Sequence, residues 1–262
     1  MSQIPFILAQ VSDTHLFADL NQTLMGFPTG KSFQAVLSQL QKIQPDLLLF
    51  TGDISQDETS TSYQLFRDLV TPLAIPTYWI PGNHDRLPRM ESLLHHRSIT
   101  AQKSVQAGGW HLLLLNSMTP GKVYGQLTPE TLDWMEQQLQ TYRHLPTLIA
   151  LHHPPVPIGS AWLDEIGLHN SAEFLAVIDR HPQVKLTVFG HIHQEFQQAR
   201  CGVTYLGTPS TCVQFQPNSP KFGIANQSPG FRLLSLYPDG QFETATTYVA
   251  FSHQPDLMAT GY

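Results

Sequence analysis

The sequence predicts an α/β protein organised as a single domain over residues 1–262, on three observations. Five short apolar runs, each the length of a buried strand, end directly in residues of the kind that bind metals. Helical patterns, apolar at i, i+3, i+4 and i+7, separate the first of these runs. After His193 the texture turns to short β-like runs, with no linker, internal repeat or low-complexity tract. A length of 262 residues is enough for one sizeable core.

In chain order, the apolar run 6–11 leads into Asp13 and His15, and the run 47–50 into Gly52 and Asp53. Residues 77–80 lead into Gly82, Asn83, His84 and Asp85, 147–151 into His152 and His153, and 185–189 into Gly190, His191 and His193. Between them, residues 32–43 carry a helical stripe of Phe33, Val36, Leu37, Leu40 and Ile43, and 61–70 repeat it with Tyr63, Leu65, Phe66 and Leu69. Thr128 and Pro129 supply an N-cap and a proline at the first helical position. The helix they open buries Leu132, Met135 and Leu139 and carries Trp134 on its flank; 172–180 form a fourth helix. Trp110 and residues 112–115 are expected in the core with Trp134. The later runs 197–200, 203–206, 231–236 and 241–249 read as strands, the last two joined as a hairpin by Pro238, Asp239 and Gly240. Residues 215–230 read as a loop, so an α/β half precedes a mostly β half. Ligands in α/β sheets bind beyond the carboxyl ends of strands, where all five clusters fall.

Composition narrows the function classes. Hydrophobic residues at 41% exclude a disordered chain. A net charge of −6 and the absence of any Lys/Arg block argue against nucleic-acid and membrane partners. Cys201 and Cys212 are too few for a disulfide framework and read as reduced thiols. The start of the chain has no positive n-region or cleavage site, and its apolar run stops at Ser12 and Asp13, so a cytoplasmic location is expected. The stretch from Gly26 to Ser32 imitates a P-loop but spaces its glycines one residue short, and no strand feeds it. His95, His96, His111, His144, His169, His181 and His253 are expected at the surface or as satisfied core residues.

The candidate donors are Asp13, His15, Asp53, Asn83, His152, His191 and His193, with His84 and Asp85 adjacent. Residues i and i+2 of a strand point the same way, so Asp13 with His15, and His191 with His193, can each grip one ion. Asp53 has two oxygens and can bridge, giving each of two ions four contacts. Imidazole mixed with carboxylate and amide oxygen suits Mn²⁺ and Fe²⁺, and to some degree Zn²⁺, better than Ca²⁺ or Mg²⁺. Two divalent ions set against two carboxylates and a bridging hydroxide leave about +1, which favours an anionic phosphate ester. Ions roughly 3.5–4 Å apart can hold the nucleophile and polarise phosphoryl oxygens during in-line displacement.

The ordered set Asp13-x-His15, Gly52-Asp53, Gly82-Asn83-His84-Asp85, His152-His153-Pro154 and Gly190-His191-x-His193 resembles the calcineurin-like metallophosphoesterase superfamily. The stretches 13–17, 52–57, 162–164, 190–195 and 208–215, and the terminal Gly261 and Tyr262, resemble its class III bacterial 3′,5′-cyclic AMP phosphodiesterases of the Icc/CpdA type. The resemblance implies a four-layer α/β/β/α sandwich of two mixed sheets. It places Asp13, His15, Asp53 and His193 on a first metal and Asp53, Asn83, His152 and His191 on a second. It makes His84 the group at the scissile phosphate, oriented by Asp85, and His153 a neighbour of the ligands. The phosphate of a cyclic nucleotide would be gripped by His15, Asp53, Asn83, His84 and His193. The implied reaction is hydrolysis of 3′,5′-cyclic AMP to 5′-AMP by a metal-activated hydroxide, lowering cyclic AMP in the cell. The alternatives are the same machinery acting on 2′,3′-cyclic nucleotides or other phosphodiesters, and a non-catalytic scaffold of the same fold. Trp162, after a ligand loop, is a candidate pocket residue. Oligomeric state and base preference stay open.

Overall fold

The computed structural model describes residues 4–252 and 254–260; His253, Gly261 and Tyr262 lie outside the described residues. Two mixed sheets of six strands each form the centre. The first runs Phe242–Tyr248, Gly230–Leu236, Phe6–Val11, Leu47–Thr51, Thr77–Ile80, Ile99–Thr100. The second runs Phe196–Arg200, Val203–Gly207, Val184–Phe189, Thr147–Ala150, Trp110–Leu114, Ser104–Ala107. Four neighbouring strands in each sheet are parallel. The remaining outer strands join antiparallel.

Side-chain alternation along these strands builds the layers. Leu8, Leu47, Leu49 and Ile80 of the first sheet pack against Trp110, Leu112, Leu148 and Leu186 of the second, forming a core between the sheets. Their sequence neighbours Ala9, Val11, Leu48 and Phe50 face the other way, onto Phe33, Val36, Leu40 and Phe66 of helices Thr29–Ile43 and Ser60–Val70. Leu113, Ile149 and Phe189 face Met135, Leu139, Phe174 and Ile178 of helices Pro129–Thr141 and Ser171–Ile178. Three apolar interfaces separate four layers, the α/β/β/α sandwich. Each fully buried leucine contributes roughly 1.5–3 kcal/mol, so strands apolar on both faces are the main stabilising element. Arg232, 1% exposed, crosses the seam between the sheets: it donates to the carbonyl of Gly207 at 2.8 Å and to Thr244 Oγ1 at 2.8 Å.

Helix starts follow local chemistry. Thr59 Oγ1 accepts from the Ser62 N–H at 3.1 Å, and Thr128 Oγ1 accepts from the Thr131 N–H at 3.2 Å ahead of Pro129. The helix expected at residue 32 starts at Thr29, without a side-chain cap, so the P-loop-like stretch is divided between the two-residue strand Phe27–Pro28 and the first turn of the helix. Ser32 there donates to the Thr211 carbonyl.

Two expectations need correction. The residues after His193 are mostly β as expected, but they do not make a separate half: the hairpin Phe196–Arg200/Val203–Gly207 extends the second sheet, whereas Gly230–Leu236/Phe242–Tyr248 returns to the first. It returns because the outer edge of Phe6–Val11 needs a partner, and Leu234 and Leu236 fill the core between the sheets from that position. Leu132 and Trp134 are also only partly buried, packed at the margin of the second helical layer.

His111, fully buried, sets Nε2 2.9 Å from Ser104 Oγ and its ring 4.4 Å from that of Tyr142; burial pulls its pKa down to about 4. The fold therefore holds a neutral imidazole that takes up a proton near pH 6.5 once unfolded, so stability falls as pH drops from 6.5 toward 4. Urea denaturation across that range should show a shallower pH dependence for His111→Gln than for the parent. Identical slopes would remove His111 from the acid response.

Candidate metal centre

Strands Phe6–Val11, Leu47–Thr51 and Thr77–Ile80 of the first sheet, and Thr147–Ala150 and Val184–Phe189 of the second, end at the same side of the seam between the sheets. Their following loops bring together all seven expected donors. Asp13, His15, Asp53, His152 and His193 are fully buried and His191 is 2% exposed, while Asn83 and His84 are half-buried at the mouth.

The pairs are not built by strand alternation. Asp13, His15, Asp53, His191 and His193 all adopt left-handed backbone, with φ between 44° and 68°. That conformation costs on the order of 1–2 kcal/mol per non-glycine residue. It turns each loop back on itself, so that the carboxylates reach the backbone of neighbouring loops. Asp13 accepts from the His191 N–H at 3.1 and 3.2 Å, and Asp53 Oδ1 accepts from the His84 N–H at 2.8 Å. Such close approach explains two of the glycines: a Cβ on Gly82 would fall onto the Asp53 carboxylate, and one on Gly52 onto the His152 ring.

Hydrogen bonds fix which imidazole nitrogen faces inward. The Nδ1–H of His15 donates to Gln56 Oε1 at 2.6 Å, that of His152 to the Thr51 carbonyl at 2.7 Å, and that of His193 to the Val213 carbonyl at 2.7 Å. With Nδ1 engaged in this way, each Nε2 is the ring nitrogen turned into the site. These nitrogens face other acceptors: His15 Nε2 lies 3.2 Å from His193 Nε2 and 3.8 Å from Asp53 Oδ2, and His152 Nε2 lies 3.2 Å from Asp53 Oδ2 and 3.1 Å from Asn83 Oδ1. Among the described residues, both ring nitrogens of His191 are buried without a hydrogen-bond partner. Nitrogens and oxygens gathered this closely in a dry site need positive charge between them, supplied by a proton or by a bound cation.

The ionisation of the cluster differs from one imidazole to the next. Burial lowers His152, but the Asp53 charge and hydrogen bond outweigh it and push the pKa up to about 9. Burial acts to raise Asp53, yet His152 and His84 hold it well below the usual carboxylate range. Burial drives His15 and His191 well below the usual imidazole range, leaving them neutral and able to coordinate.

Among the described residues, donor atoms within 4.8 Å of one another form four groups: Asp13 with Asp53 and His152; His15 with Asp53 and His84; His152 with His153 and His191; and His15 with His193 and Cys212. Asp53, His15 and His152 each belong to two of them, and of the three only Asp53 is a carboxylate with two oxygens to share. His84 stands closer than a bystander, its ring edge-on to that of His15 at 5.0 Å. His153 packs against His152 and His191, with Nδ1 2.8 Å from Ser117 Oγ.

Asp85 is not arranged as expected from its place beside His84. Its carboxylate accepts from the N–H groups of Gly82, Ile54 and Ser55 and from the Tyr63 hydroxyl at 2.9–3.1 Å. It thus clamps the loop bearing Asp53 to the loop bearing Asn83. Burial and the Asp53 charge push its pKa up to about 7 against those N–H donors. The partners Gln56, Val213 and Phe215, the last stacked on His193 at 4.2 Å, had no stated role in the sequence, although they lie in the stretches 52–57 and 208–215. A larger cavity of about 470 Å³ sits by the Ile99–Thr100 edge, between Thr71, Tyr78 and Arg97, and none of the donors lines it.

Residues 7–195 match the family model described as calcineurin-like phosphoesterase. The chain belongs to that family. Its fold implies a dinuclear divalent-metal centre, and the unpartnered nitrogens and shared Asp53 fit one. The chain is 49% identical to a 3′,5′-cyclic-nucleotide phosphodiesterase of a Nostoc species, over 95% of both sequences. It is 41% identical to the 3′,5′-cyclic adenosine monophosphate phosphodiesterase CpdA of Vibrio vulnificus, over 100% of this chain and 97% of that one. Among solved structures, a dimetal phosphatase of Danio rerio superposes with a TM-score of 0.73 at 14% identity, over 95% of this chain and 100% of the other, a likeness of fold. Among the described residues no helix is long and apolar enough to cross a membrane.

Asp85→Ala should leave three N–H groups and a hydroxyl unpaired and cost about 3 kcal/mol or more. It should also lower metal content after reconstitution, measured by elemental analysis, because the loops of Asp53 and Asn83 lose their tether. Full metal content together with parental stability would refute the clamp.

Proposed function

We propose that the chain hydrolyses 3′,5′-cyclic AMP to 5′-AMP in the cytoplasm, as one catalytic unit spanning residues 1–262. The observation that carries this reading is the Asp53 carboxylate, shared by two donor groups with the His84 ring beside them. The names of full-length relatives at 40–49% identity support the substrate class. Asp13, His15, Asp53 and His193 would hold one ion and Asp53, Asn83, His152 and His191 the other, with Fe²⁺ or Mn²⁺ suited to the mixed donors. Two divalent ions, when bound there, supply Lewis acidity toward the phosphoryl oxygens and an activated water.

The chain's own residues do the rest. Asn83 and His84 stand at the half-buried mouth and meet the phosphate first. The His84 N–H already donates to Asp53, which fixes the backbone from which the imidazole projects. An alkoxide leaves poorly at neutral pH, and His84 is placed to protonate the departing O3′. The apolar core between the sheets closes the floor and keeps bulk water out of the donor cluster.

The metal-loaded protein should turn over 3′,5′-cyclic AMP to 5′-AMP, read by chromatography beside 2′,3′-cyclic AMP and an aryl diester. Turnover of the aryl diester alone would overturn the cyclic AMP reading and leave the family assignment standing. His84→Ala should keep both ions while turnover of cyclic AMP falls about 10²-fold or more. The loss should shrink on the aryl diester, whose phenolate leaves without much protonation. Equal losses on both substrates would make His84 an electrostatic clamp rather than an acid.

A further inference from the structure

Next to the donors lies a cavity of about 250 Å³ whose two sides differ in chemistry. One side is Asn83, His84 and His191; the other is apolar, made of Val123, Trp162, Ile166 and Phe222. Val123 is 51% exposed at its rim, unusual for a large aliphatic side chain in this fold. The aromatic wall is part of a braced set. Trp162 and Phe222 meet nearly edge to face at 5.3 Å, both contact Phe215 at 5.2 and 5.5 Å, and Phe215 stacks on His193. The loops bearing Trp162 and Phe222 are tied together, since the Ser219 N–H donates to Ser160 Oγ at 3.3 Å. Asp164 holds the short helix in place by accepting from the Ile158 N–H at 2.7 Å.

We infer that this wall is the subsite for the heterocyclic base of the cyclic nucleotide, with Trp162 as its principal specificity-determining residue. The inference rests on the phosphodiesterase reading above, because His84 at the phosphate puts the nucleoside on the side of the cavity that His84 lines. A base offers a flat face, and a rigid aromatic wall beside the phosphate recognises that face by stacking and desolvation. The wall residues carry no hydrogen-bonding side-chain atom except Trp162 Nε1, which is buried and, among the described residues, has no hydrogen-bond partner. Recognition is therefore by the face and not by the edge of the base. Purines should be preferred to pyrimidines because they offer more area, and adenine and guanine should be separated by less than about tenfold. A second cavity of about 220 Å³ beyond His193 adds the polar groups Gln194, Glu195, Gln227 and Tyr248 to its lining; it does not include His84, and the negative charge of Glu195 disfavours an anionic ligand.

The experiment compares 5′-AMP with ribose 5-phosphate, which differ by the base alone, as inhibitors and by calorimetric titration of the metal-loaded protein. In the parent, 5′-AMP should bind about tenfold or more tightly than ribose 5-phosphate. Trp162→Ala should close most of that gap by weakening 5′-AMP, raise KM for cyclic AMP about tenfold with kcat changed less than about threefold, and leave metal content unchanged. Trp162→Phe should restore most of the gap, which a merely structural role would not require. An undiminished gap in Trp162→Ala, or its loss in Gln227→Ala instead, would overturn the assignment. A parent that binds 5′-AMP through its base but never hydrolyses cyclic AMP would sink the phosphodiesterase reading and not the subsite.

Discussion

Everything in the centre follows from one constraint: nitrogen lone pairs and carboxylate oxygens are buried facing each other at separations of 3.2–4.0 Å. In a low-dielectric interior such a set repels itself unless positive charge lies between its members. Around it the loops have little freedom. Left-handed backbone at five donors, glycines where no Cβ fits, and an Nδ1 bond behind each of three imidazoles all hold groups where they would not otherwise stay. The cost of that arrangement is offset by the sandwich, whose three apolar interfaces need nothing from the loops.

The support is layered. Asp53 touches the cluster directly, Asp85 binds the backbone on either side of it, and Tyr63 of helix Ser60–Val70 reaches back to Asp85 from the helical layer. On the opposite flank Ser210 donates to the Asp13 carbonyl while Val213 anchors His193. The segment after Val203–Gly207 thus does for the first donors what Asp85 does for Asp53. Apart from the Asp85 carboxylate, the outer layers work through neutral hydrogen bonds.

The sequence revealed the strands that matter and the donors at their ends, because a buried parallel strand is an uninterrupted apolar run and a polar residue directly after it stands out. Gly30 and Lys31 could be dismissed as a phosphate loop for the same local reason. The two-residue edge Ile99–Thr100 and the half-polar Ser104–Ala107 gave no such contrast. Gln56 and Val213 were illegible as partners because their bonds to His15 and His193 depend on loop curvature that residue spacing does not encode. The Asp13/His15 spacing pointed to the right pair by the wrong geometry, since left-handed turns and not strand alternation bring the side chains together. Asp85 misled for a related reason: adjacency to His84 suggested a partner, but the surrounding N–H groups are better placed to take its oxygens.

The return of the final hairpin to the first strand has a consequence for how the protein is made. Phe6–Val11, which is made more than 200 residues before its outer neighbour Gly230–Leu236, pairs with it only late, and Asp13 is gripped by a backbone N–H 178 residues further on. Contacts this distant in the chain make folding slow and leave early segments unpaired during synthesis. Arg232 then ties the late strand to the opposite sheet. The nascent chain therefore displays its first aspartate and histidine long before it can enclose an ion, and a protein released short of its last strands keeps all seven donors without a site in which to use them.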